Sequence, residues 1–300
     1  MRRWQRFTRW TMTGLVPLAL ISGLYYHSKL PVSVVPPNRP VFTEVMAGRN
    51  KAMLTLTDGR TLALGDATHG ELTRQGFTQI MQSGEGALIY RTGKATPAYG
   101  GYNVITTPRG GQYSVILSDG TRAWLNNASR LRYPVSFNGR ERRVELSGEV
   151  YFSIARCAGR PFYIMVGGDA GYYPTTEMEA SGTELDVMAY PDEGVCKVIL
   201  PGGSVKLKNG GTGLLVTDAD PGQAAAWKNG VFSFQGASLQ EIMRQAARWY
   251  DVDVIFKDSI DQRFTCKIPR QVSMSALLRM LEATGSVHFK LEGRTVIVMQ

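Results

Sequence analysis

Hydrophobic and polar residues alternate through the middle of this chain with a period of two, the pattern of strands that bury one face. In the densest stretch, Thr107 to Ala155, this alternation runs into the pair Asp119-Gly120. An Asp-Gly pair supplies the positive φ angles of a two-residue hairpin turn, so two strands joined by such a turn are expected. Gly148 interrupts a second alternating run, which predicts a bulge. Short strands in close succession favour an antiparallel sandwich, a barrel or a solenoid.

The same hairpin pattern occurs twice. The segment LTLTDGRTLAL resembles VILSDGTRAWL, and the two Asp-Gly turns, at Asp58 and Asp119, lie 61 residues apart (119 − 58). Such a repeat predicts that both ends of the β-rich region use one kind of hairpin. Two unrelated Asp-Gly hairpins in a β protein would give the same pattern.

The C-terminal quarter changes to a helical period. Ser238 stands three residues before Glu241, which is the spacing of a capping box at a helix start. Ser273 begins a second apolar helix 35 residues later, and a strand is expected after each helix, with Gly285 ending the second helix. This region therefore predicts a small βαβ-repeat domain with two helices on one sheet. Its expected core residues are Leu239, Ile242, Leu277, Leu278 and Leu281.

The N-terminus carries a basic, aromatic stretch followed by an uncharged run from Thr11 to Tyr26. This pattern fits either a signal peptide or a membrane anchor. Because no Ala-x-Ala cleavage pattern follows, we favour a single-pass anchor with the N-terminus cytoplasmic and the rest exported; a cleaved signal peptide is the alternative. The predicted organisation is a cytoplasmic tail at 1–10, a transmembrane helix at 11–28, a proline-rich linker at 29–40, a β-rich domain at 41–224 and the βαβ domain at 225–300.

The formal charge of +9 is concentrated near the start of the chain. The six basic residues before the first acid contribute +6, which leaves +3 (9 − 6) for the rest. A nucleic-acid partner therefore loses its main support. The three cysteines, Cys157, Cys196 and Cys266, have no metal-type spacing. A Cys157–Cys196 bridge and three buried thiols both fit this count.

The sequence contains no pattern typical of a catalytic or cofactor site. His27, His69 and His288 are isolated, and no Walker loop, G-x-S-x-G or H-E-x-x-H motif is present. We therefore predict neither enzyme activity nor a cofactor or metal. The sequence Arg248-Trp249-Tyr250-Asp251, at the end of the first helix, is the candidate partner-binding site, since aromatic residues dominate binding hot spots. Packing of the two aromatic side chains in the core is the alternative.

A run of linked motifs extends through most of the chain: TPRGGQY, LSDGTRAWLN, SRLRYP, RRVELSGEVYFSIA, GTELDVMAYPDE, GGSVKLK and PGQ, followed by AWKNGVFSFQGASLQEIMRQAARWYDVDV. Together these motifs resemble the periplasmic sensor domain of FecR-type transmembrane anti-sigma factors. The C-terminal βαβ unit resembles the short N-terminal domain of secretins and TonB-dependent receptors. The resemblance implies an inner-membrane signalling protein without a cofactor. Its implied partners are the signalling domain of a TonB-dependent outer-membrane transporter and an extracytoplasmic-function sigma factor.

The chain departs from this family in one respect. FecR-type proteins carry several dozen cytoplasmic residues before the membrane helix, whereas about ten precede the uncharged run here. Sigma-factor binding is therefore expected only if a longer N-terminus exists. The alternative function is an exported carbohydrate-active enzyme or glycan-binding protein on a β scaffold. A glycosidase of that kind would need two carboxylates on facing strands of a cleft.

Overall fold

The fold is described by a computed structural model for residues 44–300, apart from 67–68, 85, 94–99, 168–175, 208–213, 219–220 and 285–286. The predicted cytoplasmic tail, membrane helix and proline-rich linker lie outside these residues, as does Gly285. In the part of the chain that is described, no helix is both long and apolar enough to cross a membrane.

Strands dominate the described residues, as the sequence predicts. They are β1 Arg49–Thr55, β2 Thr61–Gly65, β3 Gly70–Gln75, β4 Thr78–Gln82, β5 Ala87–Thr92, β6 Tyr102–Thr107, β7 Gly111–Ile116, β8 Arg122–Leu125, β9 Ser129–Pro134, β10 Arg142–Ser153, β11 Phe162–Val166, β12 Thr176–Ala189, β13 Cys196–Leu207, β14 Leu214–Asp218, β15 Val231–Ser238, β16 Asp253–Phe256, β17 Arg263–Pro269, β18 His288–Glu292 and β19 Thr295–Met299. The helices are α1 Pro221–Ala224, α2 Leu239–Tyr250 and α3 Met274–Glu282, with a 3-10 turn at Pro191–Glu193.

Strands β1 to β14 form one sheet, which confirms the expected β-rich domain; most of its strand pairs are antiparallel, as expected, but some are parallel. Its central path runs β14-β13-β12-β11-β10-β9-β6-β1-β7-β5-β4-β3. The pairs β1–β7, β5–β7, β10–β11 and β13–β14 are parallel. At β10 the reason is local: the strand turns to new partners, β8 and β12, after Gly148. The chain can then return through residues 154–161 and lie parallel to the first half of β10.

The buried faces of this sheet meet in one hydrophobic core, which draws residues from β1 through β13. Leu54, Val115 and Val198 lie in it with no exposed surface. The residues on β7 alternate between buried and half-buried, as the period of two predicts. We call β1 to β14 the β-rich part.

The two Asp-Gly hairpins are built alike, but not with the predicted two-residue turn. Gly59 and Gly120 have φ of 83° and 88°, whereas neither preceding aspartate has a positive φ. In each loop the glycine N–H bonds to the carbonyl three residues earlier, and the strands close one residue beyond the glycine. This is a three-residue loop that ends in a left-handed glycine, a geometry that also matches strand twist. Arg49 on β1 pairs with Gly111 on β7, so the two repeats lie side by side.

The C-terminal part, residues 231–299, contains two sheets rather than the single sheet that was predicted. Strands β15 and β17 pair with each other, while β16, β19 and β18 form the second sheet. Helices α2 and α3 cover a hydrophobic core shared by both sheets, and the five predicted core residues are buried. The predicted capping box at Ser238 and Glu241 is present, and Ser273 caps α3. The division into two sheets follows from pairing between distant strands, which local periodicity does not encode.

Candidate functional site at the junction of the two parts

A closed ring of polar side chains joins the β-rich part to the C-terminal part. Arg270, which follows β17, donates from Nη2 to Oδ1 of Asn126 at 2.9 Å and from Nη1 to the carbonyl of Trp227 at 3.0 Å. Asn126 donates to Oε2 of Glu149 at 2.6 Å. The Glu149 and Asp186 side chains interact with each other, and the Trp227 indole donates to Asp186 at 3.4 Å. The ring therefore connects β10, β12, the α1–β15 connection and the end of β17.

The two carboxyl groups of this ring are brought together by adjacent strands. Glu149 lies on β10 and Asp186 on β12, and these strands pair antiparallel, with Tyr151 opposite Asp186. Burial raises the pKa of both carboxyls, and the charge of Glu149 raises that of Asp186 further. Both line the floor of a groove of about 400 Å³ between the two parts, bordered on one side by β15.

Arg270 is the buried cation of the ring. Its side chain is 2% exposed and lies over the Trp249 ring, with 3.8 Å between the guanidinium carbon and the ring centroid. Its Nε is buried without a hydrogen-bond partner among the residues that the structure describes. Burial lowers the pKa of Arg270 to about 10, although Glu149 opposes that shift. The guanidinium remains charged at neutral pH, so it needs negative charge nearby.

A second contact fastens α2 to the 3-10 turn that follows β12. Arg248 bonds Asp192 at 2.9 Å and Glu193 at 2.5 Å, and Arg244 bonds Glu193 at 2.8 Å. The Arg248 guanidinium also lies 3.9 Å from the centroid of the Tyr190 ring. Burial alone would raise the pKa of Glu193, but the two arginines hold it below its usual value. Because the Arg248 and Glu193 side chains are almost fully buried, losing either partner would leave a costly unpaired charge.

A third contact lies at the carboxyl end of α2. The Gly110 N–H donates to the carbonyl of Arg248 at 2.7 Å. Arg109 donates to the backbone carbonyls of Ala247 and Val252 and forms an ion pair with Asp251 at 3.1 Å. Unpaired carbonyls at a helix end attract cations and N–H donors. The loop before β7 therefore caps α2 from the β-rich part.

The residues just before β1 belong to the C-terminal core. Val45 is 5% exposed and lies in that hydrophobic cluster, and its carbonyl accepts from the Met274 N–H at 3.0 Å. Ser273, the cap of α3, donates to Glu44 at 2.5 Å. A Cβ on Gly48 would lie 2.7 Å from the Trp249 ring, so the backbone passes close against that ring. We call residues 44–48 the entry strap, because the chain reaches β1 through them.

The structure places the four predicted partner-binding residues at or beside this junction. Trp249 and Tyr250 are 4% and 1% exposed and take the packing alternative, with Trp249 donating to the Arg270 carbonyl at 2.8 Å and Tyr250 to that of Val272 at 2.8 Å. Arg248 is buried in its contact with Asp192 and Glu193. Only Asp251, with φ of 53°, presents a largely exposed side chain, and Arg109 and Arg294 contact it.

Sequence reasoning did not find the ring. Glu149 and Asp186 lie 37 residues apart in sequence (186 − 149), and Asn126 and Arg270 lie 144 apart. The sequence shows only that Glu149 and Asp186 are polar residues within strand-like runs. Polar residues in such runs usually face solvent, so this signal does not predict buried partners. Only the pairing of β10 with β12 shows that these two are diagonal neighbours on adjacent strands.

The site does not have the geometry of a glycosidase. Retaining enzymes hold their two carboxyls about 5 Å apart and inverting enzymes hold them further apart. Here the two carboxyls interact directly with each other and do not stand on opposite sides of a cleft. Among the described residues, no group of three or more His, Cys, Asp or Glu side chains could hold a metal ion. The three cysteines are free, and burial raises the pKa of Cys196 to about 12.

Known proteins resemble both parts of the chain. Residues 103–206 match the family described as FecR protein, and residues 231–298 match the one described as FecR, C-terminal. Together the matches cover more than half of the chain. Two crystal structures of a protein provisionally named as an anti-sigma factor from Parabacteroides distasonis ATCC 8503 share the fold. Their TM-scores are 0.57 and 0.58 at 20% sequence identity, covering 66% of this chain and 98% and 99% of theirs. No curated protein sequence matches the chain.

Proposed function

This chain belongs to the FecR family, and from that premise we propose that it is a signalling regulator of the anti-sigma type that acts by protein–protein contact. In this role it relays the occupancy of a TonB-dependent outer-membrane transporter towards an extracytoplasmic-function sigma factor. It lies in the inner membrane as a single-pass protein, with its N-terminus cytoplasmic and residues 41–300 periplasmic. The basic residues before Thr11 and the uncharged run after it support that orientation.

One observation carries the proposal: the C-terminal part holds the entry strap through which the N-terminal region reaches the β-rich part. Val45 fills part of the C-terminal core, and its carbonyl bonds the first residue of α3. A partner that binds one arrangement of the C-terminal part more tightly than another therefore also shifts the state of the strap. Release of the strap would expose the membrane-proximal chain to proteolysis, which is how the signal would pass inward.

We assign the receiving surface to residues 225–300, which contain the C-terminal part, with the transporter's signalling domain as the partner. Small sheets with free edges can extend across two chains by backbone hydrogen bonds. Strand β16 is at the edge of its sheet, and its Ile255 is 52% exposed, while Met280 on α3 is 46% exposed. Of the four predicted partner-binding residues, Asp251 is the one open to direct contact. Arg248, Trp249 and Tyr250 would instead respond through the junction.

Calorimetric titration of the full-length chain with the cognate signalling domain tests this assignment. I255K and M280K should each weaken binding at least tenfold, because each places a charge on an apolar contact. F77K is the matched control: Phe77 is 57% exposed between β3 and β4 of the β-rich part, so this substitution should leave the affinity unchanged. Loss of binding in F77K with wild-type affinity in the other two would move the receiving surface to the β-rich part.

The family is a regulatory one rather than a known enzyme family. No specific observation at the site favours an exported carbohydrate-active enzyme, because the paired carboxyls interact with each other and do not face each other across a cleft. Signalling therefore stands as the single candidate function.

A further inference from the structure

The Glu149 and Asp186 carboxyls interact at the junction of the two parts. Two ionised carboxylates have only acceptor oxygens, so a hydrogen bond between carboxyl groups requires that one of them be protonated. The remaining oxygens of the pair are already engaged by donors, with Asn126 on Glu149 and Trp227 on Asp186. With one proton the pair carries a single negative charge.

That single charge matches Arg270, the cation that the ring itself contains. Arg270 forms no ion pair with any residue that the structure describes, and Asn126 bridges it to Glu149. Loss of the shared proton would put two negative charges in contact beneath the groove. Adjacent like charges repel each other, and partial burial reduces the screening of that repulsion by water.

The other charged groups around the pair are largely balanced among themselves. Arg248 on α2 faces Glu149 but is neutralised by Asp192 and Glu193. In the groove Lys197 on β13 pairs with Glu241 on α2 at 3.6 Å. The remaining titratable or charged groups that face the pair or line the groove are Tyr151 on β10, Tyr190 after β12 and Arg263 on β17.

We propose that the junction is a proton-coupled lock, in which the Glu149–Asp186 pair holds one proton while the C-terminal part is docked and its loss loosens the docking. The lock joins the two parts because Glu149 and Asp186 belong to the β-rich part, whereas Arg270 belongs to the C-terminal part. It operates whichever partner the C-terminal part binds.

The direction of the pH dependence follows from the raised pKa values of both carboxyls, caused first by burial. In the unfolded chain both groups lose their protons near pH 4. The folded chain keeps protons above that pH, so it binds more protons than the unfolded chain. The stabilisation is therefore complete below the unfolded pKa and is lost as the pH rises through the raised folded values.

Urea unfolding of the full-length chain from pH 4.5 to pH 9, followed by tryptophan fluorescence, tests the lock. The D186N variant replaces the shared proton by an amide N–H, which can donate to Glu149 at any pH. We expect the folding equilibrium constant of the wild type to fall at least tenfold more than that of D186N over this range, since each unit of pKa shift corresponds to about a factor of ten. E145Q on the same strand removes a half-exposed partner of Arg132 and should keep the wild-type slope.

If the free energy of unfolding depends on pH in the same way in the wild type and D186N, the proposal is wrong. Infrared spectroscopy of the wild type gives a second test that does not depend on how the variant folds. A protonated-carboxyl band should persist in the wild type above pH 5, where ordinary carboxyls have lost their protons, and should be missing from a folded D186N sample. A folded wild type without that band above pH 5 holds no shared proton, and the lock is then wrong.

Discussion

At the scale of single residues, Gly148 decides where β10 changes partners. Its φ is +91°, and a Cβ there would lie 2.4 Å from Oγ and 2.6 Å from Cα of Ser129. This close approach lets the Ser129 hydroxyl accept from the Glu149 N–H at 2.9 Å. Gly148 thus fixes the backbone one residue before the carboxyl that enters the ring.

We expect G148A to lower the free energy of unfolding by about 3 kcal/mol. A left-handed φ costs a residue with a side chain about 1–2 kcal/mol, and overlap with a neighbouring backbone adds a similar amount. Urea denaturation measures the change. G139A is the control, because the nearest atom to its Cβ would lie 3.6 Å away, and it should change stability by less than about 0.5 kcal/mol. Equal losses in both variants would contradict the close approach at Ser129.

At the scale of elements, the entry strap ties the start of the described chain to α3. Ser273 both caps α3 and donates to Glu44, and the Met274 N–H donates to Val45. These contacts satisfy N–H groups that a helix start leaves unpaired. The strap and the helix cap therefore form one unit. Release of the strap would remove hydrogen bonds from the start of α3.

V45A should destabilise this unit by about 2 kcal/mol, the order of burying a valine side chain. Hydrogen exchange in the full-length chain should show faster exchange at the Met274 amide, whose acceptor is the Val45 carbonyl. The neighbouring variant M46A changes a side chain that is 67% exposed and should leave that amide unchanged. Slow exchange at Met274 in V45A would mean that the Val45 side chain does not hold the strap in place.

At the scale of the whole molecule, two hydrophobic cores are joined by a polar junction. A small third cluster, formed by Tyr151, Ala224 and Trp227, lies beside the ring. The carboxylates of Glu193 and the Glu149–Asp186 pair respond to pH in opposite directions, since the pKa of Glu193 is lowered and the other two are raised. Glu193 thus contributes stability that is lost in acid, whereas the pair contributes stability that is lost in alkali.

The proposed orientation of the whole protein makes a separate prediction. Arginines before Thr11 should stay on the cytoplasmic side, so a reporter that is active only outside the cytoplasm, fused after Gln300, should be active. The chain should also resist extraction from membranes by alkaline carbonate. Release of a shortened soluble protein would instead show that the N-terminal segment is a cleaved signal peptide.

The sequence by itself determined the features that depend on neighbours along the chain. Helix caps at Ser238 and Ser273, the buried leucine faces and the alternating strands all follow from spacings of two to four residues. The positions of the Asp-Gly hairpins were equally local, although the loop type was not, because both turn types accept the same residues. Membership of the FecR family was carried by a run of motifs, each continuous in sequence.

Only the tertiary structure decided which strands pair with each other and which buried polar groups are in contact. The parallel pairing of β10 with β11, the two separate C-terminal sheets and the entry strap depend on contacts between distant segments. Arg270 and Asn126 lie 144 residues apart, and neither carries a local signal that it will be buried. A buried polar group is stable only with a partner, and periodicity along one strand cannot specify which distant strand supplies it.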